Sequence, residues 1–385
     1  MKKILIILVL LLCTNVITAQ NDNSYESGID EIAAQNSVLG LSLAFFKDGE
    51  IIGTYNYGYT DNTKTVNTDD DTVYRIASTS KMISNMLIMK LVEEGKINLS
   101  DSVYLSTGLE YNEDVKLWHI LTHTSGYGDS ELFNNNFDKI YDINEMIKIS
   151  SRNIKPGTSY EYSNFVAGTM SAVVERLTGM RFYEYASEVL FDEYNLNASY
   201  LVEDLKEGTA VAKMYMGEEY DPETWIFNKE FYDQFPQGDQ YRLSYGSLYI
   251  SASDLAKLGI ILCDGEYDGK QFFKESTLEL IRYPRFETAY YTMALNTDIF
   301  KGNMVKDRTI YGHNGHAYNA ITSLIYDPED HTGVAIITNY STADKTAGIY
   351  NVVRDIAQLT YDTFFEEWKW PVIMRNTVAA VPCSI

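Results

Sequence analysis

Cysteine is scarce in this chain, with three residues among 385. Cys13 lies near the amino terminus, so the body of the chain holds Cys263 and Cys383. Two cysteines are too few for a framework of disulfide bridges in a protein of this length. Packing of apolar residues must therefore hold the fold together, and the hydrophobic content of 45% supplies enough material for a large core.

Basic residues are also few. The chain has 31 Lys and Arg against 54 Asp and Glu, which gives a formal net charge of −23. Repulsion between like charges argues against nucleic acid and anionic membrane surfaces as partners. We interpret the acidity as an aid to solubility, and the composition gives no information on the oligomeric state.

Long hydrophobic runs are missing as well. The one marked apolar run covers residues 4–12, which is too short for the roughly 20 residues of a membrane-spanning helix. Lys2 and Lys3 precede this run and a polar stretch ending at Ala19 follows it, so residues 1–19 are predicted to be a signal peptide. We expect a secreted protein, periplasmic or extracellular, and bulky Leu12 before Cys13 argues against a lipoprotein anchor.

No repeat, low-complexity tract or Pro-rich linker divides the remainder, which favours a single domain over 20–370 with a tail at 371–385. Strand patterns occur at both ends of that domain. Residues 38–57 read as a hairpin around a central Asp-Gly pair, and 320–326 and 333–339 form a second strand pair. A helical pattern is predicted at 343–368.

The middle of the chain carries mostly helical apolar spacing, at 82–94, 144–150, 166–177 and 252–262. These patterns predict an α+β fold, an α/β sandwich in which helices flank an antiparallel sheet built from both chain ends. The sheet is expected from about 22–77 and 305–370, with a mostly helical insertion at about 78–304. A cleft at their junction is the expected place for a small-molecule site.

Three segments carry chemistry in this order. Ser78 and Lys81 are three residues apart at the start of a predicted helix, so the amine can reach the hydroxyl and serve as its base if its pKa is lowered. Tyr162 and Asn164 follow a Pro-Gly turn, and the third segment contains His313, Gly315 and His316 before the last strand pair. Ser and Lys at this spacing alone are equally consistent with a helix cap, and only the ordered set of three segments is specific.

The ordered set resembles the serine β-lactamase-related family, which includes class C β-lactamases, DD-peptidases, D-aminopeptidases and family VIII esterases. The likeness extends from about 38 to 339 and implies a β-lactamase/transpeptidase-like fold. It implies that Ser78 forms an acyl-enzyme and that Lys81 and Tyr162 share the proton transfers, as a phenolate or amine of depressed pKa would. No cofactor or metal is implied.

The same resemblance implies substrate-binding roles at the second and third segments. Asn164 would orient the substrate amide or Lys81, and the backbone N–H groups of Ser78 and His316 would hold the oxyanion. Gly315 would let the strand edge approach closely. Class C β-lactamases have lysine where this chain has His313, so an amide or ester substrate, such as a small molecule or a peptide containing D-amino acids, is favoured over β-lactams.

Several alternatives stay open at this stage. A β-lactamase, an esterase and an acyltransferase share the mechanism, and a sensor of β-lactams or peptides would be acylated at Ser78 without turnover. His119 and His123 have a spacing seen in metal sites, but without a third ligand in the sequence nearby we interpret them as structural. Three consecutive carboxylates at 69–71 lack the alternation of a calcium loop, so no metal is assigned.

Overall fold

The computed structural model describes residues 23–136, 138–215 and 228–365; the predicted signal peptide, the predicted tail, Cys13 and Cys383 lie outside them. Short 3-10 or π turns cover Ala77–Thr79, Ser187–Phe191, Val202–Asp204 and Tyr361–Phe365. The α-helices are α1 (Asn23–Gln35), α2 (Ser80–Glu93), α3 (Val103–Thr107), α4 (Leu117–Leu121), α5 (Glu131–Asn135), α6 (Ile143–Ser150), α7 (Asn164–Thr178), α8 (Phe182–Ala186), α9 (Lys229–Tyr232), α10 (Ala252–Asp264), α11 (Glu275–Arg282) and α12 (Asn351–Thr360). None of these helices combines the length and the hydropathy that crossing a membrane requires.

The strands follow the same chain order. They are β1 (Gly40–Lys47), β2 (Glu50–Gly58), β3 (Val73–Arg75), β4 (Ala198–Ser199), β5 (Tyr249–Ser251), β6 (Glu266–Tyr267), β7 (Lys270–Gln271), β8 (Phe286–Glu287), β9 (Thr292–Met293), β10 (Asp298–Lys301), β11 (Thr309–Ala317), β12 (Ala320–Asp327), β13 (Thr332–Thr338), β14 (Lys345–Thr346) and β15 (Ile349–Tyr350). Eight of them form one sheet in the order β2-β1-β13-β12-β11-β10-β9-β8.

Strands from opposite ends of the chain are neighbours in this sheet. The amino-terminal strand β1 pairs antiparallel with β13, with Leu41 opposite Thr338 and Lys47 opposite Thr332. Hairpins β1–β2 and β12–β13 extend the pairing on either side. The predicted antiparallel sheet built from both chain ends is confirmed.

The sheet is buried on both faces. On β1, Leu41, Leu43 and Phe45 pack into the cluster that includes α1 and α12, whereas Ala44 and Phe46 face the larger cluster that includes α2, α7 and α10. Because both sets of side chains are apolar, the β1 residues other than Ser42 and Lys47 do not alternate between apolar and polar. This sandwich places the helical region against one face of the sheet.

Two details of the predicted layout are wrong. The helix predicted from about 343 begins at Asn351, because the hairpin β14–β15 precedes it and turns through Ala347 and Gly348, both with positive φ. The sheet also begins before 305, since β8, β9 and β10 belong to it. Strands of two to four residues are too short to show a period in the sequence.

Helix α10 packs close to the sheet at Gly259, where a Cβ atom would lie 2.7 Å from Phe46 Cε1 and 2.9 Å from Leu324 Cδ1. Gly259→Ala gains about 1 kcal/mol of helix propensity, but overpacking costs about 1–3 kcal/mol. We expect a net loss in the free energy of unfolding by denaturant titration. Gly28→Ala is the control, because its nearest neighbour is the end of the partly buried Leu359 side chain, and it should be neutral or stabilising. Equal changes in the free energy of unfolding of Gly259→Ala and Gly28→Ala would contradict the close packing of α10 at Gly259.

Candidate active site

Ser78 lies in a strained turn that leads into α2. The preceding residue, Ala77, has φ of +48°, a left-handed conformation that is unfavourable for a residue with a Cβ atom. Neighbours hold the turn in place: Thr322 Oγ1 donates to the Ile76 carbonyl oxygen at 2.7 Å and lies 2.9 Å from Thr79 Oγ1. These contacts tie the turn to strand β12 and fix the direction of the Ser78 side chain.

Lys81 occupies the first turn of α2 and is fully buried. Its Nζ atom lies 3.0 Å from Ser78 Oγ, 2.9 Å from Asn164 Oδ1 and 2.8 Å from the Tyr245 carbonyl oxygen. The predicted contact across one helical turn is therefore present. The other two contacts come from the start of α7 and from the loop before β5, so three separate segments converge on one amine.

Burial dominates the electrostatics of this amine. It lowers the pKa of Lys81 to about 7, because the charged form loses its hydration. The nearby carboxylate of Asp129 raises the pKa of Lys81, and the guanidinium of Arg75 lowers it further. A substantial fraction of Lys81 is consequently neutral near physiological pH, which is the form that can accept a proton.

Tyr162 differs from the depressed phenolate that the family resemblance implies. Its side chain is 38% exposed, yet burial around it raises the pKa of its phenol above the ordinary value, and the Asp298 carboxylate adds to this effect. A hydrogen bond with Ser78 opposes the rise without cancelling it. Tyr162 is thus a protonated phenol beside Ser78, and its ring centroid lies 4.8 Å from Lys81 Nζ.

Half-buried Asp129 and buried His123 hold the segment that carries Tyr162. Asp129 Oδ1 accepts hydrogen bonds from Ser163 Oγ at 2.6 Å and from the Phe165 backbone N–H at 2.9 Å. His123 Nδ1 accepts from the Ser163 backbone N–H at 3.2 Å, and its ring lies 4.5 Å from the Tyr162 ring. Ser163 also caps α7, so the same contacts set the position of Asn164, the first residue of that helix.

Strand β11 approaches the Ser78 turn at Gly315. A Cβ atom at this position would lie 2.4 Å from the Ile76 carbonyl oxygen and 2.2 Å from Thr322 Oγ1. Any side chain would therefore push the strand away from the turn. The close approach that the family resemblance implies for Gly315 is present, and it brings the backbone at Gly315 against the turn that carries Ser78.

The two histidines of this strand occupy different environments. His313 is buried and its Nδ1 atom lies 2.7 Å from the Asn314 carbonyl oxygen. Burial lowers the pKa of His313 to about 3, and the nearby Lys81 adds to the shift, so the ring is neutral. The His316 side chain is exposed, and its ring lies 5.3 Å from that of Tyr350.

Sequence reasoning did not single out Asp129 or Tyr245, and it took His123 as structural only. Asp129 and His123 position the Tyr162 segment, and Tyr245 contributes a backbone oxygen. His119, the other histidine of the predicted structural pair, accepts from the Lys116 backbone N–H through Nδ1. Among the residues that the structure describes, neither His119 nor His123 belongs to a cluster of three metal-ligating side chains.

The fold and this arrangement define a class. An antiparallel sheet beside a helical region, with a Ser-x-x-Lys turn facing the sheet edge, is the β-lactamase/transpeptidase-like fold. The chain belongs to the Beta-lactamase family, whose family model matches residues 26–358.

Known proteins agree with this assignment. Protein flp of Staphylococcus aureus strain MW2 is 25% identical over 182 residues, or 45% of this chain and 36% of flp, so the match spans about a third of that relative's length. The unguisins hydrolase ungD' of Aspergillus campestris is 23% identical over 91% of this chain and 68% of its own. The D-amino acid amidase of Ochrobactrum anthropi SV3 shares the fold, with a TM-score of 0.70 and 20% identity over 88% of this chain and 98% of the amidase.

We expect Lys81 to titrate near pH 7 in the folded protein. NMR of protein labelled with 13C at the lysine ε carbon measures this value, and Lys81→Arg identifies the resonance. Asp129→Asn should lower the pKa of Lys81 further, because the carboxylate favours the charged amine. A Lys81 resonance that titrates above pH 10, as exposed lysines do, would contradict the electrostatics described above.

Proposed function

We propose that this protein is a secreted serine hydrolase that forms an acyl-enzyme on Ser78 and cleaves an amide or an ester. The observation that carries the proposal is the buried amine of Lys81, 3.0 Å from Ser78 Oγ and with a pKa of about 7. A serine hydroxyl needs an adjacent base to become a nucleophile, and a desolvated lysine supplies one near neutral pH.

The hydrogen bonds around Lys81 orient it for this role. A neutral amine has two N–H donors and one lone pair. Asn164 Oδ1 and the Tyr245 carbonyl oxygen can only accept, so they take the two N–H donors. The lone pair then faces Ser78 Oγ and is placed to receive the hydroxyl proton.

Tyr162 is the proposed acid for the leaving group. As Ser78 Oγ bonds to the acyl carbon and gives its proton to Lys81, the scissile C–N or C–O bond breaks and the departing amine or alkoxide needs a proton. The protonated phenol of Tyr162, hydrogen-bonded to Ser78, can donate it and recover the proton from Lys81. Water then attacks the acyl-enzyme, and the same groups act in reverse order.

The backbone N–H groups of Ser78 and His316 are the proposed donors to the oxyanion. The glycine at 315 supports this assignment, because its lack of a side chain allows β11 to lie against the Ser78 turn. Removing one such donor typically costs about 3–4 kcal/mol of transition-state stabilisation. Asn164, bound to Lys81, would orient the amine and the substrate amide.

An uncharged amide or ester is the proposed substrate type, with a peptide containing D-amino acids as the leading choice. His313 is neutral, so it offers no fixed charge to a carboxylate such as that of a penicillin, and the net charge of −23 repels anions. The name of the D-amino acid amidase also favours an amide substrate, and the name of the unguisins hydrolase favours hydrolysis. A β-lactamase or acyltransferase remains the alternative within the same mechanism.

Intact-mass spectrometry tests the acyl-enzyme. We expect an adduct when the protein meets a p-nitrophenyl ester or a D-phenylalanine ester, decay of the adduct during turnover, and no adduct on Ser78→Ala.

Adding a carboxylate to the acyl donor should slow acylation by about tenfold or more, because no charged hydrogen-bond partner is present at His313.

Other outcomes separate the alternatives. A lasting adduct would indicate a sensor that is acylated without turnover rather than a hydrolase. Transfer of the acyl group to an added alcohol or amine, at the expense of hydrolysis, would favour the acyltransferase. Absence of any adduct on the wild-type protein, or an equal adduct on Ser78→Ala, contradicts the proposal. Asn112→Ala, on the surface, is the matched control and should be acylated as the wild type is.

A further inference from the structure

A second group of reactive side chains lies at the other end of strand β12 from the Ser78 turn. Thr322 contacts that turn, whereas Asp327 ends β12 five residues later, about 17 Å along the strand. There the carboxyl end of α10 meets the turn between β12 and β13. Cys263 and Asp264 belong to α10, and His331 belongs to the turn.

These three side chains converge. One ligand-capable atom from each of Cys263, Asp264 and His331 lies within 4.8 Å of the other two. His331 Nδ1 is 2.6 Å from Asp264 Oδ1, and Cys263 Sγ, which has no disulfide partner among the described residues, is 3.6 Å from the Asp327 carbonyl oxygen. Tetrahedral ligands of Zn²⁺ are separated by about 3.3–3.8 Å, given bond lengths of about 2.0–2.3 Å, so small side-chain rotations suffice.

The surroundings favour a cation. The cluster borders a surface cavity that is also lined by the carboxylates of Asp48, Glu50, Glu266, Asp268 and Glu275. Helix α10 ends at Asp264, so the negative end of its dipole points to the cluster. Apart from His331, the basic side chain that lines the cavity is Arg282. It donates to the carbonyl oxygens of Leu262 and Cys263 and lies 3.7 Å from Glu275.

The ligand types select among cations. A thiolate and an imidazole bind borderline and soft transition metals, whereas Ca²⁺ and Mg²⁺ prefer oxygen ligands alone. Cys, His and Asp together form a three-ligand set that Zn²⁺ accepts, with a fourth position open to water. His331 is exposed, so the site is accessible from solvent.

We propose that Cys263, Asp264 and His331 form a zinc site that joins α10 to the β12–β13 turn. The ion replaces the thiol proton of Cys263 and the proton shared by Asp264 and His331. It bridges α10, which packs against the eight-stranded sheet, and the β12–β13 turn of that sheet. Its role is to brace the end of the sheet that lies away from the Ser78 turn.

Isothermal titration with Zn²⁺ after removal of metals by a chelator tests the site. We expect one ion bound per chain, and Co²⁺ in its place should give the near-ultraviolet charge-transfer band of a cobalt–thiolate bond. Loss of a group that merely orients a ligand costs about 10–100-fold in metal affinity, so Cys263→Ser and His331→Gln should each weaken Zn²⁺ binding by at least about 100-fold.

Matched variants make the result specific. Cys383→Ser removes the other thiol outside the predicted signal peptide, and His316→Gln removes another exposed imidazole; both should bind Zn²⁺ as the wild type does. His331 is exposed, so His331→Gln is expected to fold. Its Zn²⁺ affinity therefore tests the site even if Cys263→Ser does not fold. Failure of the wild type to bind at 100-fold excess of Zn²⁺, or unchanged binding by His331→Gln, would overturn the proposal without affecting acylation of Ser78.

Discussion

The buried amine of Lys81 is the interaction on which the arrangement of the site depends. A charged ammonium is expensive to bury, and its three close acceptors, Ser78 Oγ, Asn164 Oδ1 and the Tyr245 carbonyl oxygen, come from three segments of the chain. Holding these segments within 3 Å of one atom requires α2, α7 and the loop before β5 to be fixed against one another. The cost of that burial appears as the lowered pKa, and the same shift makes the amine a base.

The sheet supplies the opposite wall. Thr322 of β12 bonds to the Ile76 carbonyl oxygen and contacts Thr79, and Gly315 of β11 has no side chain that would separate strand and turn. Because these strands come from the carboxyl-terminal part of the chain, the site requires that part to pack against the Ser78 turn. The strained φ of Ala77 is retained by this packing.

Periodicity predicted most of the fold, because long elements repeat their apolar positions. Helix α7 and the hairpins β1–β2 and β12–β13 were found in this way, whereas β14–β15 and the strands β8–β10 are too short to show a period. The contact between Ser78 and Lys81 followed from helix geometry. Tyr162, Asn164 and Gly315 were found through the resemblance, and the structure brings them to Ser78 and Lys81.

Other features of the site could not be read from the sequence. Asp129 acts through hydrogen bonds to Ser163 and Phe165, and Tyr245 acts through a backbone carbonyl, so neither position leaves a residue pattern. The raised pKa of Tyr162 arises from burial by residues distant in sequence. Such effects depend on tertiary contacts and become visible only when the chain is folded.

The central claim is that neutral Lys81 activates Ser78. The most direct test is the pH dependence of the acylation rate, measured by rapid quench and mass spectrometry under single-turnover conditions with an uncharged ester. Acylation should rise by about tenfold per pH unit below 7 and level off above it, as the amine loses its proton. A rate that is independent of pH between 5 and 9, or that rises only above pH 9, would contradict this account.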